Sequence, residues 1–533
     1  MKAYFLIGLL IAFVFNTKAQ EVNIISSPEL SNPYPQDFWT QNLGSDESGY
    51  YLIRDLGPPT NPEIILEKFD PNFTLLYSKN IESSSGILGD SKNHFETILG
   101  NNEILVFLAS WNKERKEGGL WVQRFSTNGE KVGSEIQLLS DLEISLLKSS
   151  EYKISLSEDG SHLAVLTEPT FDKNAMESFR ISVFKTDDFN KIAEKEFTFS
   201  VEMERYPRNE VLVNNSGVAF GFKSVKISRK EYKYYLASVG MESHFQEELN
   251  FKEDQLNQSK FIINTKGELV GVGLIAELKK YITLWQKTWL MIANGNGIVQ
   301  RKIEPLGAAL LSNFMSEKRA AKEGAAINYF QLKDLLEKPE GGYLLLTEQL
   351  DERKTALSTQ PNQATAYNYR FNYGGIVLIS FDETANRNWF TFYDKKQKLE
   401  SIHPKMQLGS FAYGIANNKL NMIWNYTEIH PTISFPRQHW IDKSGDKIAV
   451  IDVFGNEAVY PTFLTSVNLK DGSLNYTERT FSSLPLADIQ KENNFPMAVD
   501  PSIFFSFSDG IVLLSRMRDE MPRKFKFSWI ELE

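Results

Sequence analysis

The stretch Asp159-Gly160-SHLAVLTE decides the fold because the chain repeats its pattern eight times. The pattern is a polar turn followed at once by a short, very apolar strand. The other copies are Gly49-YYLIRD, Asn101-Asn102-EILVFLA, Ser216-Gly217-VAFGFKS, Lys266-Gly267-ELVGVGL, Gly341-Gly342-YLLLTEQ, Asn417-Asn418-KLNMIWNY and Asp509-Gly510-IVLLSRM. A unit that recurs in this way predicts a repeat architecture.

A second turn follows within each repeat and joins two further β-prone runs. Phe125-STNGEKVG and Phe381-DETANRNW are examples, with the Asn, Asp and Gly content of hairpin turns. Each unit therefore reads as four antiparallel strands, which is a propeller blade. Early copies lie 50 to 58 residues apart and later ones up to 92, against about 50 for a kelch-type blade. The sequence predicts an all-β fold, a β-propeller of eight four-stranded blades, with seven as the alternative.

Two segments depart from the repeat. The last unit is short by one strand, and we expect the apolar run from Val22 to Ile25 to complete its blade and close the ring, so that no strand edge is exposed. Residues 308–338 are rich in Ala, Leu, Glu and Lys, which favour helix. They predict a helical insertion with a helix from Leu310 to Lys322. The remainder, residues 20–533, is predicted to be a single propeller domain.

The N-terminus has the pattern of a secretory signal peptide over residues 1–19. Lys2 gives a basic start, residues 6–15 are apolar, and Ala19 is a small residue suited to cleavage. An uncleaved N-terminal anchor is the alternative. No later stretch reaches the roughly 18 apolar residues that a membrane-spanning helix needs. We expect an exported protein, free in a periplasm or released outside.

Composition excludes several classes of function. The sequence contains no Cys, which rules out disulfides, a lipidated Cys, thiolate metal sites and Cys nucleophiles. The net charge is -10, which argues against nucleic acid as the main partner because phosphate backbones reward clustered Lys and Arg. We expect an unidentified protein or glycan ligand, no nucleic acid, no membrane span and a monomeric protein.

The aromatic run at residues 367–373 is the first candidate binding site. The rings of Tyr367, Tyr369, Phe371 and Tyr373 alternate with the polar Asn368, Arg370 and Asn372. In an extended strand the rings share one face and the polar groups the other. This arrangement suits a stacking platform for a glycan or peptide. The alternative is a strand that packs its rings against the neighbouring blade.

The long irregular segment from Ile429 to Ala458 provides the second candidate. Its candidate binding residues are His430, Arg437, His439 and Trp440, because long loops on a rigid scaffold often carry binding function. The alternative is that these histidines simply pack on aromatic side chains. The six His have no HxH or HExxH spacing, so we expect no metal.

The common catalytic and cofactor motifs do not occur in a usable context. A GxSxG nucleophile elbow is missing from the sequence. Residues 271–276 fit GxGxxA, but they lie inside a predicted buried strand rather than before a helix, where small residues allow close packing. We therefore expect no cofactor. Paired carboxylates for glycoside hydrolysis cannot be recognised along the chain, because their separation in space defines them.

Two segments resemble a group of secreted, propeller-like proteins of Bacteroidota-type bacteria. They are SNFMSEKRAAKEGAAINYFQLKDLLEKPEGGYLLLTEQ (residues 312–349) and YNYRFNYGGIVLISFD (residues 367–382). The resemblance implies the propeller fold and export, and it brings no catalytic residues. We expect a secreted binding or scaffolding protein. The alternative is an extracytoplasmic carbohydrate-active hydrolase or lyase with its site in the propeller funnel.

Overall fold

The computed structural model describes residues 24–28, 30–31, 39–56, 63–81, 91–112, 117–143, 151–228, 231–251, 254–276, 278–279, 282–356, 367–395, 397–401, 409–425, 439–441, 447–450, 462–477, 498–516 and 524–532. Two compact units are distinguished. The central unit is Pro33–Met406, and the terminal unit combines Met1–Asn32 with Gln407–Glu533.

Strands dominate the described residues, and in chain order they fall into three groups. The first group is β1 (Ile24–Ser26), β2 (Leu30–Ser31), β3 (Trp39–Asp46), β4 (Gly49–Leu56), β5 (Glu63–Phe69), β6 (Leu75–Ile81), β7 (Ser91–Leu99), β8 (Glu103–Asn112), β9 (Glu117–Ser126), β10 (Lys131–Glu143), β11 (Tyr152–Leu156), β12 (His162–Thr167), β13 (Met176–Lys185) and β14 (Lys191–Glu202). The second is β15 (Arg208–Val213), β16 (Ala219–Ser228), β17 (Glu231–Val239), β18 (His244–Glu248), β19 (Gln255–Ile263), β20 (Leu269–Ala276), β21 (Leu278–Lys279), β22 (Ile282–Trp285), β23 (Lys287–Asn294), β24 (Gly297–Pro305), β25 (Ile327–Asn328) and β26 (Phe330–Glu337). The third is β27 (Tyr343–Ala356), β28 (Tyr367–Phe381), β29 (Arg387–Tyr393), β30 (Gln397–Ser401), β31 (Ala412–Ala416), β32 (Lys419–Asn425), β33 (His439–Ile441), β34 (Lys447–Val450), β35 (Thr462–Asn468), β36 (Leu474–Thr477), β37 (Ala498–Ser506), β38 (Gly510–Arg516) and β39 (Lys524–Glu531).

The central unit contains six antiparallel sheets built on four-strand meanders in its described part, and one of them gains β30 as a fifth strand. Their orders are β3-β4-β5-β6, β10-β9-β8-β7, β11-β12-β13-β14, β15-β16-β17-β18, β19-β20-β23-β24 and β26-β27-β28-β29. The terminal unit contains two more, β31-β32-β35-β36 and β1-β39-β38-β37. A four-stranded antiparallel meander repeated along the chain is the blade of a propeller. The predicted all-β propeller class is confirmed, and the number of blades stays a prediction.

The repeated sequence pattern forms the turn between the first and second strands of each sheet. Gly217 has φ 76° and Asn418 has φ 59°, a left-handed conformation that Gly and Asn tolerate best. The strand after the turn is buried on both faces, and every residue of β20 is buried. Apolar side chains on both faces suit a strand that packs against a neighbouring sheet on each side.

Apolar layers join consecutive sheets of the central unit. One cluster places Leu166 and Phe179 of the β11–β14 sheet against Val211 and Tyr235 of the β15–β18 sheet. The next places Phe222 and Tyr234 of that second sheet against Phe261 and Trp289 of the β19–β24 sheet. Each sheet therefore buries both of its faces, which is the sandwich-like packing expected of successive blades.

The turns also connect neighbouring sheets of the central unit. The side-chain amide of Asn101 donates to the carbonyl of Asp159 in the next sheet. The backbone N–H of Asp159 in turn donates to Asn215 Oδ1 at 3.1 Å. Asn214 Nδ2 continues the series by donating to the carbonyl of Gly267 at 2.7 Å. The polar residues of the repeated turn thus hold one sheet to the next as well as closing a hairpin.

The predicted helix from Leu310 to Lys322 is wrong. The structure has two single-turn helices instead, α1 (Ala308–Leu311) and α2 (Glu317–Ala320), and the rest of the predicted insertion includes β25 and β26. Asn313 Nδ2 donates to the carbonyl of Leu310 at 3.0 Å, at the end of α1. The ring of Phe314 then packs on Phe330 and Phe392, with centroids 5.4 and 4.7 Å away. Tertiary packing overrides helix propensity here.

At the N-terminus, β1 is the outer strand of the β37–β39 sheet. Ile25 pairs with Trp529 and Ser26 with Ser528, antiparallel. Val22 of the apolar run from Val22 to Ile25, and the signal sequence over residues 1–19, lie outside the described residues.

His94 on β7 gives the fold a predictable response to acid. Burial lowers the pKa of His94 from 6.5 to about 4, so the folded protein disfavours the charged ring. The stability that the fold gains from keeping His94 neutral is fully present above pH 6.5, and it is lost as the pH falls from 6.5 towards 4. Between pH 6.5 and pH 4, the free energy of unfolding of the unmodified protein should therefore fall by about 1–3 kcal/mol more than that of His94→Gln. Unfolding curves at several pH values would measure this difference. The exposed His244→Gln is the control, and equal behaviour of the two variants would contradict the assignment.

Candidate functional site

The aromatic run of β28 forms a ring ladder on one face of a projecting hairpin. β27 and β28 stay paired out to Ala356 and Tyr367, and β30 adds a third strand beside residues 369–373. Neighbouring rings of Tyr367, Tyr369, Phe371 and Tyr373 lie 6.4 to 6.5 Å apart between centroids. The alternation therefore places the rings together, as period-two geometry requires.

One of the four rings of this ladder belongs to the core. Phe371 is only 3% exposed and pairs with Leu399 of β30, which is buried to the same degree. Towards the tip, the Lys354 ammonium lies 3.7 Å from the centroid of the Tyr367 ring. Asn368, Arg370 and Asn372 occupy alternate positions of the strand and so point to the opposite face. A single ligand on one face of the hairpin would not contact both the rings and these polar groups.

The second predicted group belongs to the terminal unit. His430 and Arg437 lie outside the described residues. His439 and Trp440 form part of the short strand β33, in which His439 pairs with Val450 of β34. The ring ladder lies in the central unit.

A cavity of about 430 Å³ opens between the β15–β18 sheet and the β19–β24 sheet. We call it the inter-sheet pocket. It lies at the end of these sheets opposite the repeated turns, where β16 leads to β17 and β18 leads to β19. Its volume is within the usual range of small-molecule sites, about 300–1,000 Å³. Its lining comprises Glu204, Tyr206, Arg208, Phe222, Ser224, Lys226, Tyr232, Tyr234, Gln255, Leu256, Asn257, Ser259 and Ala276.

Strand register aligns one wall of the pocket. Arg208, Ser224 and Tyr234 are cross-strand partners in one row, and Lys226 and Tyr232 form the next row. Side chains in such rows share a face of the sheet. This wall therefore carries two cations beside two phenol rings.

The tyrosines form a stacked wall with a fixed inner end. The rings of Tyr232 and Tyr234 are nearly parallel, with centroids 6.4 Å apart. The Tyr234 hydroxyl donates to the Leu256 carbonyl at 3.1 Å and accepts from its N–H at 2.9 Å. Tyr206 stands at the rim and is 79% exposed. Tyr234 is only 2% exposed, so its ring supports Tyr232 from within the core. The half-buried Tyr232 supplies the aromatic face that suits stacking against a flat or ring-shaped ligand.

β19 supplies the polar side of the pocket. The strand has a register shift between Leu256 and Gln258, which leaves Asn257 unpaired with β20. Such a bulge redirects a side chain, and Asn257 is an exposed lining residue. The buried Oγ of Ser259, also a lining residue, has no hydrogen-bond partner among the described residues. A buried hydroxyl without a partner is a position where a ligand or water is expected to bind.

Glu204 joins the pocket to a buried ionic cluster. Its carboxylate accepts a hydrogen bond from the N–H of Lys226, and its own N–H donates to Glu177 Oε1. Burial, followed by the nearby Glu177 charge, raises the pKa of Glu204 above its usual value. Glu177 in turn lies 2.8 Å from the ammonium of Lys223, which is completely buried.

No sequence motif marks the inter-sheet pocket as a whole. Tyr232 and Tyr234 have the same alternation as the run at residues 367–373 and could have been noticed in KEYKYY (residues 230–235). No sequence pattern indicates that those rings lie beside Arg208 and Asn257, because the four residues belong to three strands of two different sheets. No group of three or more His, Cys, Asp or Glu suitable for a metal occurs within the described ranges. In the same part of the chain no helix is long and apolar enough to cross a membrane.

Neither a protein-family model nor a curated protein sequence matches this chain. Among solved structures, the β-propeller domain of the Trilobed protease from Pyrococcus furiosus is 11% identical, with 84% of this chain and 100% of that chain covered and a TM-score of 0.34. Phage phi92 endosialidase is 8% identical, with coverages of 87% and 80% and a TM-score of 0.34. Pyrococcus horikoshii acylaminoacyl peptidase is 10% identical over 92% of this chain, which spans 59% of the peptidase, with a TM-score of 0.34. Similarities at these TM-scores carry no argument, and the fold class rests on the strand pairing.

Proposed function

We propose that the protein is an exported binding module that holds a saccharide in the inter-sheet pocket. The observation that carries the proposal is the half-buried ring of Tyr232 beside the polar groups of Arg208, Asn257 and Ser259. Sugar rings present apolar C–H faces and hydroxyl edges, so they match aromatic faces flanked by donors and acceptors. The pocket volume suits one or two sugar units.

Binding is favoured over hydrolysis by the carboxylates available. Most glycoside hydrolases use two carboxyl groups that flank the scissile bond. Among the described lining residues, Glu204 is the only carboxylate, and it already accepts the N–H of Lys226. A hydrolase would need a second carboxyl group to act with Glu204, and the described lining residues do not supply it. The aromatic and amide groups of the pocket favour a binding site instead.

The proposal predicts that Tyr232→Ala weakens saccharide binding. A panel of soluble oligosaccharides would be screened against residues 20–533 and the best ligand titrated by calorimetry. Loss of one stacking ring is expected to weaken binding about twofold to tenfold, since such contacts contribute roughly 0.5–1.5 kcal/mol. Tyr206→Ala, at the rim, should have a smaller effect and leave the melting temperature unchanged.

The matched control is Tyr369→Ala combined with Arg370→Ala in the ring ladder. This variant should bind the saccharide like the unmodified protein. If it abolishes binding while Tyr232→Ala has no effect, the ring ladder is the site and the pocket proposal is wrong. Failure of every saccharide in the panel to bind would also contradict it.

A further inference from the structure

Two cations line the inter-sheet pocket of an acidic protein. The chain has a net charge of -10, and the described lining residues include Arg208, Lys226 and one carboxylate, Glu204. The backbone N–H of Lys226 already satisfies part of that carboxylate. Arg208 is paired with Glu210 beside the lining, so Lys226 is the cation that attracts an anionic group most directly.

Arg208 is held in position for an anion. Its Nη2 donates to the carbonyl of Ser259 at 2.6 Å and contacts Glu210 Oε1 at 2.5 Å. These described contacts use one nitrogen of the guanidinium, which leaves the Nε and Nη1 hydrogens available. Guanidinium groups bind carboxylates through two parallel hydrogen bonds, and fixing the group beforehand reduces the cost of binding.

Lys226 supplies the second cation. Its side chain is exposed, and its ammonium makes no ion pair with a carboxylate in the part of the chain that the structure describes. The ammonium lies 5.9 Å from the centroid of the Tyr232 ring. A sugar stacked on that ring would therefore bring its substituents close to a charge without an ionic partner.

We infer that the inter-sheet pocket selects a saccharide that carries a carboxylate, with Arg208 and Lys226 contacting the carboxylate while Tyr232 stacks on the ring. This inference rests on the proposed saccharide-binding function and adds the class of ligand. The hydroxyl of Ser259 and the amide of Asn257 would bind sugar hydroxyls. An acidic peptide is the other ligand with a matching charge, but it lacks the sugar ring that Tyr232 would cover.

The test compares two ligands that share one sugar backbone and differ in charge. Tri-galacturonic acid and its fully methyl-esterified form would be titrated into residues 20–533 by calorimetry at low and moderate salt. We expect the acid to bind at least tenfold more tightly than the ester, and added salt to reduce this difference because exposed charges are screened. Lys226→Gln should weaken binding of the acid and so remove most of the difference.

Lys233→Gln is the matched control, because Lys233 lies on β17 and pairs with Glu248. It should leave the preference for the acid unchanged. Equal binding of acid and ester, with both lost in Tyr232→Ala, would overturn the acidic-ligand inference and keep the saccharide proposal. Binding of a tetra-aspartate peptide, dependent on Lys226, without binding of either saccharide would overturn both. Arg208→Gln adds a second variant whose melting temperature reports whether it folds.

Discussion

Replacing Lys223 by methionine is expected to lower the free energy of unfolding by about 3–5 kcal/mol. The Lys223 ammonium is completely buried between the β11–β14 and β15–β18 sheets and pairs with the carboxylates of Glu168 and Glu177. Removing the cation leaves two buried carboxylates facing each other without a counter-charge. Breaking a buried pair in this way costs more than the pair itself contributes, because the remaining charges stay desolvated.

The surroundings of Lys223 make compensation difficult. Its cross-strand neighbours are Asn209 and Tyr235, and neither Asn209 Oδ1 nor the Tyr235 hydroxyl has a hydrogen-bond partner among the described residues. Burial also raises the pKa of Glu168, although Lys223 acts in the opposite direction. Without Lys223, we expect protonation of Glu168 to be the main relief, so the loss of stability should be smaller at acidic pH.

Urea unfolding of residues 20–533 would measure this effect. Lys191→Met is the matched control, since Lys191 pairs with Glu194 on the surface, where an exposed pair contributes about 0–1 kcal/mol. Adding Glu177→Gln to Lys223→Met should recover part of the lost stability, because one of the unpaired charges is then removed. Equal effects of the Lys191 and Lys223 variants would show that the buried cluster does not stabilise the fold.

Gly273→Val is expected to destabilise the protein by about 3 kcal/mol. Gly273 lies inside β20, and a Cβ atom there would be 2.1 Å from Leu256 Cδ1, 2.8 Å from the Gln258 carbonyl and 3.1 Å from the Trp289 ring. The carbonyl belongs to the paired strand β19 and cannot move aside as a flexible side chain can. Overpacking therefore has to displace the backbone or the completely buried Trp289.

Differential scanning calorimetry of Gly273→Val and Gly100→Ala would test this prediction. A Cβ at Gly100 meets nothing closer than 3.5 Å, so this control should stay within about 0.5 kcal/mol of the unmodified protein. An unchanged melting temperature for Gly273→Val would mean that Leu256 and Trp289 pack less closely on β20 than the structure shows. The result also bears on the GxGxxA match, because it attributes the glycines to packing rather than to a cofactor.

Part of the candidate site follows from local sequence rules. Strand periodicity alone predicts that Tyr367, Tyr369, Phe371 and Tyr373 share a face, and the structure shows those rings in one ladder. Periodicity does not predict which of the rings are buried. Leu399, which lies beside Phe371, comes from a strand nearly thirty residues later, so the extent of burial depends on tertiary contacts.

The failure of the helix prediction has a similar cause. The composition of residues 310–322 favours helix at most positions, but Phe314 packs against Phe330 and Phe392, on strands that the sequence places far apart. Burial of a large ring stabilises the fold by more than the few tenths of a kcal/mol per residue that distinguish helix propensities. The helix propensity of this segment is expressed only in the two single-turn helices α1 and α2.

By itself, the sequence determined the repeating unit of this protein. Turn residues that tolerate a left-handed backbone, followed by strands apolar on both faces, are local signals, and they produce the same hairpin in each of the eight described sheets that carry the repeat. Only the tertiary structure decided where a ligand could bind. The inter-sheet pocket combines Tyr232 with Asn257 from the next sheet, and the buried cluster joins Glu168 to Lys223 across two sheets. Such contacts depend on how sheets pack, and the packing is set by the sum of many apolar contacts rather than by any short stretch of chain.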